Sequence, residues 1–226
     1  MSRINLDKPL CLLGDYTQTM LLSAVWQEEP PTNIYMAGFG GGRLAMLFNH
    51  YFEDVRVDGS DIDSNVIAAS QVYFGLDKNL LNGIAVADSR KDLHAREIEY
   101  DIILLDVFTG GGEHVSHLAT VEFFDLCKAR MTPKAVMVAN LISMDPLMKQ
   151  KIVAIQSAFQ HCHVWEFNGA HVIFASNSPL NNEDFQNRVA KFQRDESLSF
   201  DLMEKAQMLK PQKYEDEVRP LLDDNL

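Results

Sequence analysis

The feature that most constrains this chain is a glycine cluster set between an apolar run and a helical pattern. Residues 34–37 are apolar and lead directly into Gly38-Phe39-Gly40-Gly41-Gly42, and apolar residues at helical spacing follow over residues 44–48. Glycine reaches positive φ without strain and lets a backbone approach a ligand closely. A helix that begins directly after such a turn presents unpaired N–H groups to that ligand. The segment therefore predicts a strand, a tight turn and a helix that together form a nucleotide-type binding site.

Apolar periodicity predicts alternating strands and helices around this segment. The predicted strands cover residues 34–37, 55–58, 84–87, 102–105 and 135–139, and the predicted helices cover 16–27, 42–51, 65–74, 89–95, 120–129 and 146–159. Residues 164–167 and 171–175 flank Asn168-Gly169, a strong hairpin signal. The pattern predicts an α/β fold with a doubly wound, Rossmann-like, seven-stranded and mostly parallel sheet that ends in an antiparallel C-terminal hairpin.

Three parts are expected along the chain. Residues 1–30 form a short lead-in and a helix, residues 31–178 form the Rossmann-like domain, and residues 179–226 form a C-terminal helical extension of one or two helices with a frayed acidic tip at Asp223-Asp224. The chain has 226 residues, of which 46% are hydrophobic, so this core domain has enough apolar material to fold.

Composition argues against several classes of partner. The net charge of −12 disfavours nucleic acid, whose phosphates require basic patches. The 3 cysteines show no CxxC spacing, which is typical of reduced thiols in a cytoplasmic protein. No apolar run approaches the roughly 20 residues that a membrane span needs, and the first residues lack the apolar stretch of a secretory signal.

Acidic residues follow three successive predicted strands. Asp61 and Asp63 follow the second strand, Asp88 with Ser89 follows the third, and Asp106 follows the fourth. The carboxyl ends of parallel strands meet at one edge of a sheet, where ligands bind. A carboxylate offers only acceptors, which suits ribose hydroxyls or an exocyclic amine. Acids before helices are also common N-caps, so each one alone has a purely structural interpretation.

These segments together resemble a known family. The chain is similar to the class I S-adenosylmethionine-dependent transferases and, within them, to the spermidine synthase group. The resemblance covers roughly residues 15–176 and rests on Tyr16-Thr17-Gln18-Thr19-Met20, Gly38-Phe39-Gly40-Gly41-Gly42, Asp61-Ile62-Asp63-Ser64-Asn65-Val66-Ile67, Tyr73-Phe74-Gly75-Leu76, Ala87-Asp88-Ser89-Arg90, Tyr100-Asp101-Ile102-Ile103-Leu104-Leu105-Asp106 and Glu122-Phe123-Phe124.

The resemblance implies a role for each matched residue on the donor side. The co-substrate would be decarboxylated S-adenosylmethionine or S-adenosylmethionine itself, with no metal. Asp106 would orient and deprotonate an attacking amine. The other matched residues would bind the donor. The glycines would approach its aminopropyl or amino-acid part (Gly38, Gly40, Gly41 and Gly42), Asp61 would bind its ribose hydroxyls, and Asp88 with the backbone of Ser89 would hold its adenine. Asp63 is a further candidate for donor binding.

The acceptor side departs from the family. Spermidine synthases carry a second acid where this chain has Thr109, and a tyrosine where it has Gln18. Tyr16, Gln18, Thr109 and Glu113 are the candidate substrate-binding residues, and Glu113 could replace the lost acid. Family members also have a longer β-rich N-terminal domain. His114 and His117 have a spacing that metal ligands can show, but without a visible third ligand no metal site is expected.

Three functions stay open at this point. The first is aminopropyl transfer to a small-molecule amine, the second is methylation of a small molecule, and the third is nucleoside binding without catalysis. By resemblance a homodimer is expected. The cysteine pattern, the net charge and the absence of a long apolar run predict a cytoplasmic protein with no nucleic acid and no membrane as partner.

Overall fold

A computed structural model describes residues 2–108, 114–212 and 217–226. The strands are β1 Asn33–Ala37, β2 Arg56–Asp61, β3 Ile84–Val86, β4 Tyr100–Leu105, β5 Met131–Ile142, β6 His161–Phe167, β7 Ala170–Ser176 and β8 Lys210–Pro211. The helices are α1 Asp15–Met20, α2 Arg43–Tyr51, α3 Ser64–Phe74, α4 Ser89–Ala95, α5 Val121–Ala129, α6 Met148–Ala158, α7 Asn182–Asp195 and α8 Leu202–Met208.

The strands form one sheet in the order β3-β2-β1-β4-β5-β7-β6-β8. The first five are parallel, while β7 is antiparallel to both β5 and β6. The strand order reverses between β1 and β4, which makes the carboxyl ends of these two strands the expected ligand position. The doubly wound α/β architecture is confirmed.

Alternate residues of the central strands point to opposite faces of the sheet. Ile34 and Met36 of β1 join a core with α1, α2, α7 and α8, whereas Tyr35 and Ala37 join a second core with α4, α5 and α6. The molecule therefore has three layers, and both faces of its sheet are covered, as parallel strands require.

The hairpin forms where the sequence predicts it. Asn168 and Gly169 separate β6 from β7 and both have positive φ, at 48° and 79°, as a type I′ turn demands.

Several predicted boundaries differ from the structure, among them those of β5, which was predicted over residues 135–139. The helix predicted over residues 16–27 is shorter in the structure: α1 ends at Met20, and a 3₁₀ segment, Leu21–Val25, follows it. Strand β2 continues through Gly59 to Asp61 instead of ending at residue 58. A Cβ at Gly59 would lie 2.5 Å from the Met36 carbonyl oxygen of β1, so this pairing requires a residue without a side chain. Glycine at this position permits close strand pairing and does not mark a loop.

The C-terminal segment forms two helices that pack on the body, as expected, but it also adds an unpredicted strand. Lys210 and Pro211 pair with β6, and the Gln212 N–H donates to the Cys162 carbonyl. The prediction of seven strands is therefore wrong by one. Proline is compatible with this position because β8 is an edge strand.

The acidic tip is not frayed. The Asp223 carboxylate accepts two hydrogen bonds from Arg90, at 2.7 and 2.6 Å, and one from the Thr120 hydroxyl. Within the described ranges, no helix combines the length and the apolar character that crossing a membrane would need.

Candidate active site

A cavity of about 1130 Å³ opens at the carboxyl ends of β1, β2 and β4. Its wall includes most of the residues that the sequence singled out: Tyr16, Gly38, Gly40, Gly41, Asp61, Asp63, Asp88, Ser89 and Asp106. Gly42 and Gln18 are not on this wall, and Thr109 and Glu113 lie outside the described residues. The structure thus brings the predicted strand-end acids to one place.

The glycine turn is shaped by sterics as well as by conformation. Gly38 has a φ of 78°, and a Cβ added to it would lie 2.5 Å from the Asp106 carbonyl oxygen. Any side chain here would push the first turn against the strand end that carries Asp106. Gly42 has a φ of 64° and precedes α2 as its N-cap, so its role is in the turn itself and not on the cavity wall.

The turn also presents a backbone donor to the cavity. The Gly41 N–H donates to the Ser2 hydroxyl over 2.8 Å, and a Cβ at Gly41 would lie 2.8 Å from the Ser2 Cβ. Ser2 and Arg3 both line the cavity. A ligand that uses the Gly41 N–H must displace Ser2.

Asp61 ties the glycine turn to the loop after β2. Its Oδ2 accepts from the Gly40 N–H at 3.1 Å, and its Oδ1 accepts from the Asp63 N–H at 3.1 Å. Asp63 itself caps α3 by accepting from the Asn65 N–H. Both carboxylates are held in place by backbone donors while they face the cavity.

Asp88 and Ser89 begin α4. The Asp88 Oδ1 accepts from the Lys91 N–H, which makes Asp88 the N-cap, and its Oδ2 lies 2.6 Å from the His117 Nε2. Burial alone raises the pKa of Asp88, but the bonds from His117 and Lys91 hold it below its ordinary value. Asp88 is therefore an ionised acceptor near neutral pH.

Ser89 belongs to a buried hydrogen-bond network that includes Ser60 and Tyr35. The Ser60 hydroxyl donates to the Ser89 hydroxyl over 2.8 Å, and the Tyr35 hydroxyl contacts Ser60 at 3.0 Å and Asp92 at 3.0 Å. Sequence reasoning places Tyr35 in the core as an apolar strand residue and misses this role, because the pattern carries no sign of its partners. The network fixes the start of α4 relative to β1 and β2.

Asp106 follows β4 and is partly accessible from the cavity. Burial raises its pKa, and the hydrogen bond that its Oδ1 accepts from Asn140 Nδ2 over 2.9 Å moderates this rise. Asn140 lies on β5, is only 3% exposed, and its own Oδ1 has no hydrogen-bond partner in the described structure. Asn140 was missed from sequence because β5 was predicted to end at residue 139.

Helix α1 brings Tyr16 to the cavity beside Asp106. Burial and the Asp106 charge raise the pKa of the Tyr16 phenol, so it stays a neutral hydrogen-bond donor. Gln18, expected at the substrate, instead donates its amide to the Leu12 carbonyl over 2.7 Å. Asp15 also lines the cavity, and Lys205 of α8 holds it with a 2.7 Å ion pair.

A buried ion pair fixes the chain near His114. Lys151 of α6 donates to Asp145 over 2.7 Å and to the His114 carbonyl over 2.6 Å. Asp145 in turn accepts from the His114 N–H. The His114 ring packs on Phe108, whereas the His117 ring points to Asp88, so the two histidines do not converge on one position.

The charges on the cavity wall are predominantly negative. Five aspartates line it (Asp15, Asp61, Asp63, Asp88 and Asp106), against the two guanidinium groups of Arg3 and Arg43. Arg43 already donates to the carbonyls of Pro9 and Cys11. The wall is therefore suited to a cationic ligand.

The chain is similar in sequence to polyamine aminopropyltransferases. No family model matches the chain. A polyamine aminopropyltransferase from Chromobacterium violaceum is 31% identical over 160 residues, which are 70% of this chain and 60% of that protein. This chain thus spans less than two thirds of the length of the curated relatives it matches.

Solved structures share the fold. A probable spermidine synthase from Corynebacterium glutamicum superposes with a TM-score of 0.76 and 18% identity, covering 97% of this chain and 84% of the other. Human methyltransferase-like protein 13, solved in complex with SAH, superposes with a TM-score of 0.68 and 18% identity, covering 93% of this chain and 98% of the other.

Proposed function

Because this chain is a spermidine synthase-like protein with the class I methyltransferase fold, we propose that it is a transferase that moves an aminopropyl group from decarboxylated S-adenosylmethionine to a small amine. The observation that carries the proposal is the convergence of the glycine turn, Asp61, Asp88 and Asp106 on one cavity. Each comes from a different strand end, and the order along the chain matches the family motifs.

The donor side of the proposal rests on hydrogen-bonding capacity. Asp61 has two acceptor oxygens next to the glycine turn, as a ribose with two hydroxyls requires. Asp88 supplies an ionised acceptor for an exocyclic amine. The aminopropyl chain would pass the glycine turn and take the place of Ser2 at Gly41.

The charge of the wall favours the decarboxylated donor over intact S-adenosylmethionine. Without its carboxylate the donor carries a sulfonium and an ammonium, both positive. Five aspartates line the cavity, of which Asp15 is already paired with the Lys205 ammonium, and the Arg43 guanidinium is already engaged with backbone carbonyls. A ligand carboxylate would face this acidic wall with Arg3 as the remaining guanidinium on it.

The reaction is a direct displacement. The lone pair of the neutral amine attacks the carbon next to the sulfonium, a C–N bond forms, and the C–S bond breaks. The electron pair of the broken bond goes to sulfur, which leaves as the neutral thioether methylthioadenosine. The amine proton passes to the Asp106 carboxylate. Such a step needs alignment and deprotonation more than covalent catalysis.

Asp106 is well suited to take this proton. Because burial raises its pKa, it is a stronger base than a solvent-exposed aspartate. The Asn140 amide fixes one of its oxygens and leaves the carboxylate free to accept from the amine. The Tyr16 phenol, kept neutral by burial, adds a donor on the same side of the cavity.

A second candidate is methyl transfer from S-adenosylmethionine. Two observations favour it: Gln18 is turned to the Leu12 carbonyl and away from the cavity, and the human methyltransferase-like protein matches over 98% of its own length. The fold and the nucleoside contacts would be the same, so the donor decides between the two functions.

Calorimetric titration with decarboxylated S-adenosylmethionine, S-adenosylmethionine and methylthioadenosine tests the proposal, followed by product analysis with a panel of amines. We expect the decarboxylated donor and methylthioadenosine to bind at least about tenfold more tightly than S-adenosylmethionine. Preference for S-adenosylmethionine would establish the methyltransferase alternative, and binding of none of them would refute a nucleoside site.

The role of Asp106 is tested by Asp106→Asn, with Asp125→Asn at an exposed position of α5 as the matched control. We expect the active-site variant to bind methylthioadenosine normally and to lose at least about 100-fold in kcat, while the control keeps full activity. Donor binding without transfer in the wild type, for all amines tested, would indicate a non-catalytic nucleoside-binding protein.

A further inference from the structure

His117 contacts the acid expected at the nucleobase. Its Nε2 lies 2.6 Å from the Asp88 Oδ2, and both residues line the cavity. The His117 side chain is 41% exposed, whereas the Asp88 side chain is 21% exposed. His117 is therefore the more exposed member of an acid–imidazole pair on the cavity wall.

The backbone of His117 is tied to helix α4 through Arg90. Arg90 of α4 donates to the His117 carbonyl over 3.2 Å, and the Asp223 carboxylate holds the same guanidinium through two bonds. Asp223 is held in turn by the Thr120 hydroxyl. The imidazole is thus anchored relative to α4, the helix that Asp88 caps.

This arrangement fixes the orientation of the Asp88 carboxylate. The Lys91 N–H holds one oxygen and the His117 ring holds the other. A carboxylate has about four lone-pair sites, so two remain for a ligand. An ionised carboxylate in a fixed orientation accepts from the 6-amino group of adenine but offers no proton to the 6-carbonyl group of hypoxanthine.

We propose that His117 is a specificity-determining residue that orients Asp88 to select a 6-aminopurine nucleoside. This inference rests on the proposed function, because it assumes that a nucleoside occupies the cavity. His117 acts through Asp88: its Nε2–H donates to the carboxylate and restricts it to the rotamer that meets the base edge.

The test compares two ligands that differ at one position of the base, methylthioadenosine and methylthioinosine. Their affinities are measured by calorimetry for the wild type, His117→Ala, His117→Gln and, as a matched control, His94→Ala at an exposed position of α4. The ratio of the two affinities reports base selection, which a general loss of stability would not change selectively.

We expect the wild type and His94→Ala to prefer the adenine nucleoside strongly and His117→Ala to reduce the ratio by about three- to tenfold. Glutamine can donate an amide N–H to Asp88, so His117→Gln should recover most of the ratio. An unchanged ratio in His117→Ala would overturn the inference while the proposed function stands. Failure of the wild type to bind either nucleoside would instead overturn the proposed function.

Discussion

The buried Lys151–Asp145 ion pair, which holds the backbone of His114, allows a quantitative prediction about stability. The Lys151 and Asp145 side chains are 1% and 2% exposed, and the Lys151 ammonium also donates to the His114 carbonyl. Lys151→Met keeps the apolar part of the side chain and removes the charge. The substitution leaves a buried carboxylate without its cation, a change that costs about 3–5 kcal/mol in proteins.

The structure places the expected loss at the lower end of this range. After the substitution, Asp145 still accepts from the backbone N–H groups of Leu147 and His114. We therefore expect the free energy of unfolding to fall by about 3 kcal/mol in urea titrations near neutral pH. Lys191→Met, at an exposed position of α7, is the control and should change stability by less than about 0.5 kcal/mol.

A second substitution separates the lost charge pair from lost packing. Lys151→Met combined with Asp145→Asn contains no unpaired buried charge, so it should be more stable than Lys151→Met alone by about 1–2 kcal/mol. A loss below about 1 kcal/mol in the single variant, or a double variant no more stable than the single one, would refute the reasoning.

The pH dependence of this effect has a defined sign. Burial alone raises the pKa of Asp145, but Lys151 and the backbone donors hold it below its ordinary value. The ionised carboxylate thus adds stability to the wild type near neutral pH, and this contribution is lost as the pH falls through the lowered pKa. Without Lys151 the folded-state pKa rises, so acid neutralises the unpaired charge. The difference between the two proteins should therefore narrow toward about pH 4.

Three further predictions concern the site and its surroundings. Asn140→Leu removes the bond that stabilises the Asp106 carboxylate, so its pKa rises further and the acid limb of the kcat–pH profile should move to higher pH; an unmoved limb would contradict this. Gly38→Ala should abolish methylthioadenosine binding in calorimetry, because its Cβ would lie 2.5 Å from the Asp106 carbonyl oxygen. Gly75→Ala is the control, since Gly75 has a similar φ of 68° but nothing within 4 Å of the added Cβ. It should keep binding and lower the free energy of unfolding in urea by only about 1 kcal/mol. Burial lowers the pKa of His114 to about 4 from 6.5, so on acidification the unfolded chain binds a proton at this histidine before the folded protein does. The free energy of unfolding of the wild type should therefore fall by roughly 2 kcal/mol between about pH 7 and pH 5. His114→Gln should lack this part of the decline in urea unfolding.

Local patterns in the sequence were sufficient for the architecture. Alternating apolar runs predicted the order of strands and helices up to β7, and Asn168-Gly169 predicted the hairpin. The errors lie where tertiary contacts override local signals. Gly59 resembles a loop residue until β1 is packed against it, and β8 forms only because the edge of β6 offers free backbone groups to the C-terminal segment.

In the candidate site, too, local patterns were predictable from the sequence and tertiary contacts were not. Strand-end acids are visible in the sequence because parallel strands place their carboxyl ends together, and the structure lines one cavity with Asp61, Asp88 and Asp106. The contacts that orient these acids were not predicted: Asn140 lies inside a strand and was missed, and His117 was considered only as a possible metal ligand. Their contacts with the acids join positions 34 and 29 residues apart, which no local pattern encodes.

Helix capping and ligand binding are compatible roles for the same carboxylate. Asp63 and Asp88 each accept one backbone N–H at the start of a helix, and both also line the cavity. Capping uses one of about four lone-pair sites on a carboxylate and leaves the rest available. It also removes rotamer freedom from the acid before any ligand arrives, which lowers the entropic cost of binding. An acid that precedes a helix at a strand end is therefore a better ligand for a donor nucleoside when it is a cap, and the two interpretations of the sequence pattern support each other.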